Sequence, residues 1–158
     1  GDIVVFKDPA NWLGGNGVEE TGLRLVAKDI LTWTGLLPED AGEHLVKRVV
    51  GLPGDLVECT DPDGQVVVNG EPLDEDYIAP GSRPCGQTFS VQVPEGYLWV
   101  MGDNRDDSAD SRAHLGDPGG GTVPVGNVVG TTFAVVWPFD RFAGVGNPWG
   151  EAADSTAG

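Results

Sequence analysis

Apolar and polar residues alternate over short runs along most of this chain, and only one stretch carries a helical spacing. Runs of strand character span Asp2 to Lys7, His44 to Val50, Leu56 to Thr60, Gln65 to Val68, Thr88 to Val93, Tyr97 to Met101 and Gly130 to Trp137. Each is short, enriched in Val, Phe, Tyr or Trp, and bounded by Gly, Pro, Asp or Asn, the composition of strands between turns. Asp63-Gly64 supplies hairpin-turn chemistry between two of these runs, and Asn69-Gly70 marks the next reversal. Closely spaced strands of this kind predict a mostly β domain, an antiparallel barrel or sandwich.

The exception lies between Val18 and Leu37. There Leu23, Val26, Ile30 and Trp33 recur at spacings of three and four, which predicts an amphipathic helix interrupted at Gly22 and Gly35. Residues 9–43 therefore read as a loop-and-helix insertion between two strands. It either packs on the β core or offers a surface-seeking patch to a membrane. Further loops are expected over Asp74 to Gln87 and at Asp117-Pro118-Gly119-Gly120-Gly121. The small, polar residues 150–158 predict a disordered tail. Without a repeat or a boundary, residues 1–149 are expected to form one domain.

Composition narrows the function classes. Five Trp, five Phe and a hydrophobic share of 39% belong to a folded chain, not a disordered one. A net charge of −16 would repel nucleic acid, which argues against a DNA- or RNA-binding role. No run approaches the roughly 20 apolar residues that cross a bilayer. Cys59 and Cys85 are not in a C-x-x-C pair, and with two His in the chain they make no zinc site. Two readings of them stand: a disulfide across a long loop in an extracytoplasmic protein, or two unrelated buried thiols. No metal and no cofactor is expected.

Two segments carry candidate chemistry. Lys47 shares a strand face with Leu45 and Val49, while Arg48 points the other way with Val46 and Val50. Burying an amine in an apolar row favours its neutral form, and a neutral amine is what a general base needs near neutral pH. The competing reading is an edge strand guarded by a solvated Lys-Arg pair. The second segment, Met101-Gly102-Asp103-Asn104-Arg105-Asp106-Asp107-Ser108-Ala109-Asp110-Ser111-Arg112, crowds carboxylates and guanidiniums into one loop. Such groups can fix a loop through paired hydrogen bonds. Calcium is the rival occupant, but the spacing is not that of an EF-hand and two Arg would oppose a cation.

Taken together, these segments resemble the two signature blocks of bacterial type I signal peptidases. Lys47-Arg48-Val49-Val50-Gly51-Leu52-Pro53-Gly54-Asp55 is similar to the family's lysine-bearing motif. Met101-Gly102-Asp103-Asn104-Arg105 with Ser108-Ala109-Asp110-Ser111-Arg112 is similar to the other block. Gly1-Asp2-Ile3-Val4-Val5-Phe6 looks like the strand that follows the nucleophile, and Val68-Asn69-Gly70 falls in its expected place. The resemblance runs from Gly1 to about Phe139, and the insertion and cysteine pair look like the actinobacterial branch.

The resemblance implies a serine endopeptidase working through a Ser-Lys dyad. It would remove signal peptides from exported preproteins at the outer face of the cell membrane. Lys47 would be the general base, and Ser108 would orient its amine. Arg48, Asp103, Arg105, Asp110 and Arg112 would support the site, and Cys59 and Cys85 would be bonded. The family's nucleophile lies in a Ser-x-Met-x-Pro context. Ser82, Ser90, Ser108, Ser111 and Ser155 all lack that context, and the one Met is Met101. The 158-residue chain is therefore expected to be inactive alone, lacking the nucleophile segment and a membrane anchor. Two alternatives are a self-cleaving repressor-type Ser-Lys peptidase and an extracellular β-rich module that binds calcium or a protein. Signal peptides carry small residues near the cut, so shallow apolar pockets beside Lys47 and an extended peptide at a sheet edge are expected.

Overall fold

A computed structural model describes residues 1–12, 44–132, 134–135 and 143–144. The helix expected over Val18 to Leu37, most of the 9–43 insertion and the 150–158 tail lie outside the described residues. The described strands are β1 (Ile3–Lys7), β2 (His44–Gly51), β3 (Leu56–Cys59), β4 (Val67–Val68), β5 (Glu71–Pro72) and β6 (Phe89–Gln92). They continue with β7 (Tyr97–Met101), β8 (Val123–Pro124), β9 (Val128–Thr132), β10 (Ala134–Val135) and β11 (Ala143–Gly144). All their pairings are antiparallel.

The strands form a five-stranded sheet in the order β8-β7-β2-β1-β9 and a four-stranded sheet in the order β5-β4-β3-β6, with β10-β11 as a hairpin. The expected run Gln65 to Val68 contributes only two paired residues. The run expected at Gly130 to Trp137 starts earlier, at Val128, and its described residues form β9 and β10. Asn69 and Gly70 make the β4–β5 reversal with φ of 54° and 87°, the left-handed geometry that these two residue types tolerate.

Strands β2 and β7 are a wall shared by two cores. On one face Leu45 and Val49 of β2 join Leu98 and Val100 of β7, with Val4, Phe6, Trp12 and Val123. On the other, Val50, Trp99 and Met101 join Val57, Cys59, Val66, Cys85, Phe89 and Val93, largely from the smaller sheet and its loops. Period-2 alternation explains this, since neighbouring residues of one strand enter opposite cores. The two sheets approach closely where β2 ends. A Cβ on Gly51 would lie 2.5 Å from a Val57 methyl, so only glycine lets β2 pass over β3 there.

The edge-strand reading of Lys47-Arg48 fails, because β2 is hydrogen-bonded to β1 on one side and β7 on the other. The two-thiol reading fails as well. Cys59, at the end of β3, is bonded to Cys85 in the loop before β6, and no free cysteine is left.

Candidate active site

Lys47 sits on β2 opposite Val4 of β1, in the row that also holds Leu45 and Val49. Its amine is half-buried and donates to Ser108 Oγ at 2.9 Å. Burial is the largest influence on that amine and lowers its pKa from the ordinary 10.5; the Asp110 and Asp107 carboxylates oppose the shift, while the Arg112 charge adds to it.

Ser108 follows the 3₁₀ turn Arg105–Asp107 in the loop after β7. Gly102, directly after β7, makes the approach possible. A Cβ there would fall 2.2 Å from Ser108 Oγ and 3.7 Å from Lys47 Nζ. The Gly102 N–H donates to Asp110 Oδ2 at 2.9 Å, and the Ser108 hydroxyl also bonds the Asp110 carboxylate. Burial pushes the Asp110 carboxyl up. The Arg112 hydrogen bonds and charge, with the Gly102 and Ser108 bonds, outweigh it and hold the group below 3.8. An ionised Asp110 can only accept, so the Ser108 hydroxyl donates its hydrogen bond to it and leaves the Ser108 oxygen free to accept from Lys47.

Three arginines fix this loop. Arg48 grips Asp103 with two bonds of 2.8 and 2.7 Å, tying the loop to β2 beside Lys47. Arg112 holds Asp110 with bonds of 2.9 and 2.7 Å and donates to the Cys85 and Arg105 carbonyls, each at 2.7 Å. Arg105 donates to the Gly102 carbonyl at 3.1 Å, and its guanidinium pairs with Glu75 and reaches the Pro84 carbonyl. Arg48, Asp103, Arg105, Ser108, Asp110 and Arg112 are thus brought together with Lys47. The carboxylates of Asp103, Asp106 and Asp110 each face an arginine, which is the opposite of a calcium loop.

Glu75 and Tyr77 escaped the sequence reading. Glu75 is buried against Arg105, and Tyr77 donates to Glu75 at 2.8 Å while its ring lies 4.0 Å under the Arg48 guanidinium carbon. Burial, together with the Glu75 charge and hydrogen bond, pushes the Tyr77 hydroxyl far above its ordinary range, so it stays protonated. The available signal was Asp74-Glu75-Asp76-Tyr77, an acidic cluster in a loop that has to cover something.

Beside Lys47 a shallow depression of about 220 Å³ is lined by Ile3, Val46, Lys47, Arg48, Gly102 and Asp103. Val46 in its wall is 56% exposed, an aliphatic side chain left uncovered next to the amine.

The family profile described as signal peptidase, peptidase S26, matches residues 1–137. A probable signal peptidase I of Mycobacterium leprae is 41% identical over 93% of this chain and 58% of its own length. The signal peptidase I of Mycobacterium tuberculosis H37Rv is 40% identical over 90% of this chain and 53% of its own. A crystal structure of a signal peptidase I from Enterococcus faecalis is 27% identical, with a TM-score of 0.49 over 82% of this chain and 92% of that one. The chain spans about half the length of the curated relatives it matches.

Proposed function

The chain belongs to the signal peptidase family, peptidase S26, and from that premise we propose that it carries the general base of a serine endopeptidase that removes signal peptides from preproteins. The observation that carries the reading is the Lys47–Ser108 contact: a partly desolvated amine held at 2.9 Å by a hydroxyl whose own proton is committed to Asp110.

The chemistry follows from that geometry. One N–H of the neutral amine is spent on Ser108, which fixes the direction of the nitrogen lone pair. That lone pair takes the proton of the nucleophilic serine hydroxyl as its oxygen attacks the scissile carbonyl. The resulting ammonium gives the proton to the departing amine of the mature chain. Neutral again, Lys47 deprotonates the water that hydrolyses the acyl-enzyme. Among the described serines, Ser108 is the one bonded to Lys47, and its role here is to orient the amine. The nucleophile is assigned to a segment outside these 158 residues, and the chain alone is expected to give no turnover.

The aliphatic walls Ile3 and Val46 of the depression suit small apolar side chains of an extended substrate. Preprotein signal peptides are the partner class, and a disulfide-bonded domain suits the extracytoplasmic side of the cell membrane. No helix of the described residues is long and apolar enough to cross a membrane.

The test is preprotein cleavage by the full-length enzyme, compared with its Lys47→Ala variant and with the 158-residue chain. The expected result is cleavage by the first and none by the folded variant or the short chain. Equal cutting by Lys47→Ala overturns the base assignment. Turnover by the short chain would make Ser108 the nucleophile and overturn its orienting role.

A further inference from the structure

The disulfide connects to the site through a short chain of contacts. Cys59 ends β3, whose pairing with β4 and β6 fixes it in the smaller sheet. Its bond to Cys85, with a Cα–Cα distance of 6.1 Å, carries that position to Pro84-Cys85-Gly86. This tripeptide belongs to no strand, and the Gly86 N–H to Pro62 carbonyl bond of 2.9 Å is a further tether. Its carbonyls are then used by the active-site loop: Arg105 donates to the Pro84 oxygen, and Arg112 to the Cys85 oxygen at 2.7 Å. Arg112 holds Asp110, and Asp110 holds both Gly102 and Ser108. Even the backbone after the cysteine is shaped for this contact. Gly86 has φ 71°, and a Cβ there would fall 2.9 Å from Arg112 Nη1.

We propose that the Cys59–Cys85 disulfide is a positioning element of the active site, fixing the carbonyls that hold Arg105 and Arg112 and, through Asp110, the Ser108 that orients Lys47. The proposal rests on the reading of Lys47 and Ser108 as the working pair. Both sulfurs are buried, so a purely structural staple is the competing role. Such a staple would change the melting temperature and leave the kinetics of the folded enzyme alone. A positioning element must also change how the amine titrates. Lys47 is faced by Asp110, Asp107 and Arg112, and its largest influence is burial. A loosened loop lets water reach the amine and raises its pKa toward the ordinary value.

The experiment compares full-length wild type, Cys59→Ala/Cys85→Ala and Gly86→Ala in preprotein cleavage, at a temperature where circular dichroism shows each variant folded. The double variant is expected to lose roughly ten- to a hundredfold in kcat, the scale of a small misplacement of catalytic groups. Gly102 and Asp103 of the loop also line the substrate depression, so KM can change as well, and the deciding readouts are kcat and the pH profile. The acid limb of its kcat/KM profile should move to higher pH. Wild-type kcat and an unmoved limb in the folded double variant overturn the proposal. If that variant does not fold, Gly86→Ala decides: it keeps the disulfide, strains the backbone next to Cys85 at φ 71° and sets a Cβ against Arg112 Nη1. A wild-type pH profile in Gly86→Ala then overturns the proposal. Lys47→Ala runs alongside: cleavage by it overturns the catalytic reading itself, whereas loss of cleavage there with insensitive cysteine and glycine variants overturns the positioning role alone.

Discussion

At the scale of single residues, Lys47 is where burial becomes chemistry. Its folded pKa lies below 10.5 because desolvation disfavours the ammonium. The base is the neutral amine, so kcat/KM of the full-length enzyme should rise with pH through that lowered pKa, with the limb below 10.5. A limb at the ordinary lysine value, or none, would show that the amine is not the base. The same shift has a stability sign. Between the folded and unfolded pKa values the unfolded chain binds the extra proton, so Lys47 makes stability rise with pH across that window. Chemical denaturation of wild type and Lys47→Met over that range should show a pH-dependent difference that disappears above 10.5. Gly102 makes a separate prediction. Its missing Cβ is the space Ser108 Oγ occupies, 2.2 Å away, so Gly102→Ala should fold yet lose about a hundredfold in kcat. An active Gly102→Ala enzyme would mean that Ser108 does not need its present seat. Lys47, Ser108 and the loop Asp and Arg residues were legible as motifs. Gly102 was legible only as part of one, because the cost of a Cβ appears when β7 and Ser108 meet in space.

At the scale of elements, the ion pairs divide according to what their strands and loops hide. Arg105 and Glu75 are 1% and 5% exposed at their side chains, whereas Arg83 and Asp106 are 55% and 38% exposed. Glu75→Gln should therefore destabilise the domain by about 3–5 kcal/mol, because the guanidinium stays buried without its charge partner. Asp106→Asn should change stability by less than about 1 kcal/mol, as exposed pairs do. Urea unfolding of the two variants measures both, and equal effects would refute the division. The longer strands were readable because four or more residues suffice to show alternation and turn boundaries. Strands β5 and β8, two residues each, have no period to read. Glu75 was unreadable for a different reason. Composition counts carboxylates, but the partner of Arg105 lies 30 positions away, in a loop whose course is set by the tertiary fold. The alternation in β2 placed Arg48 and Val50 on one face and Lys47 and Val49 on the other. It could not tell an edge strand from a central one, since both alternate until the neighbouring strands are known.

At the scale of the whole molecule, the same pairs sharpen an imbalance of charge. Arg105–Glu75 and Arg112–Asp110 are each neutral and enclosed, so the net charge of −16 falls on the rest of the chain. Repulsion among solvated carboxylates destabilises the compact state and is screened by salt, whereas the enclosed pairs are screened little. Added salt therefore removes a penalty without dissolving the bonds that hold the active-site loop. The melting temperature at neutral pH should rise as sodium chloride goes from about 0.01 M to about 1 M, over which the screening length falls from roughly 30 Å to roughly 3 Å. The control is pH. Near the isoelectric point of about 4.1 the net charge vanishes, and the salt dependence should flatten. Asp110, held below 3.8 by its Arg112 bonds against the effect of burial, should remain largely ionised there. Its contribution to stability is present above 3.8 and is lost only as the pH falls through its lower folded value. Calorimetric scans across salt and pH test both points. A melting temperature that falls with salt at neutral pH would mean that exposed attractive pairs, not the enclosed ones, dominate the electrostatics of this fold.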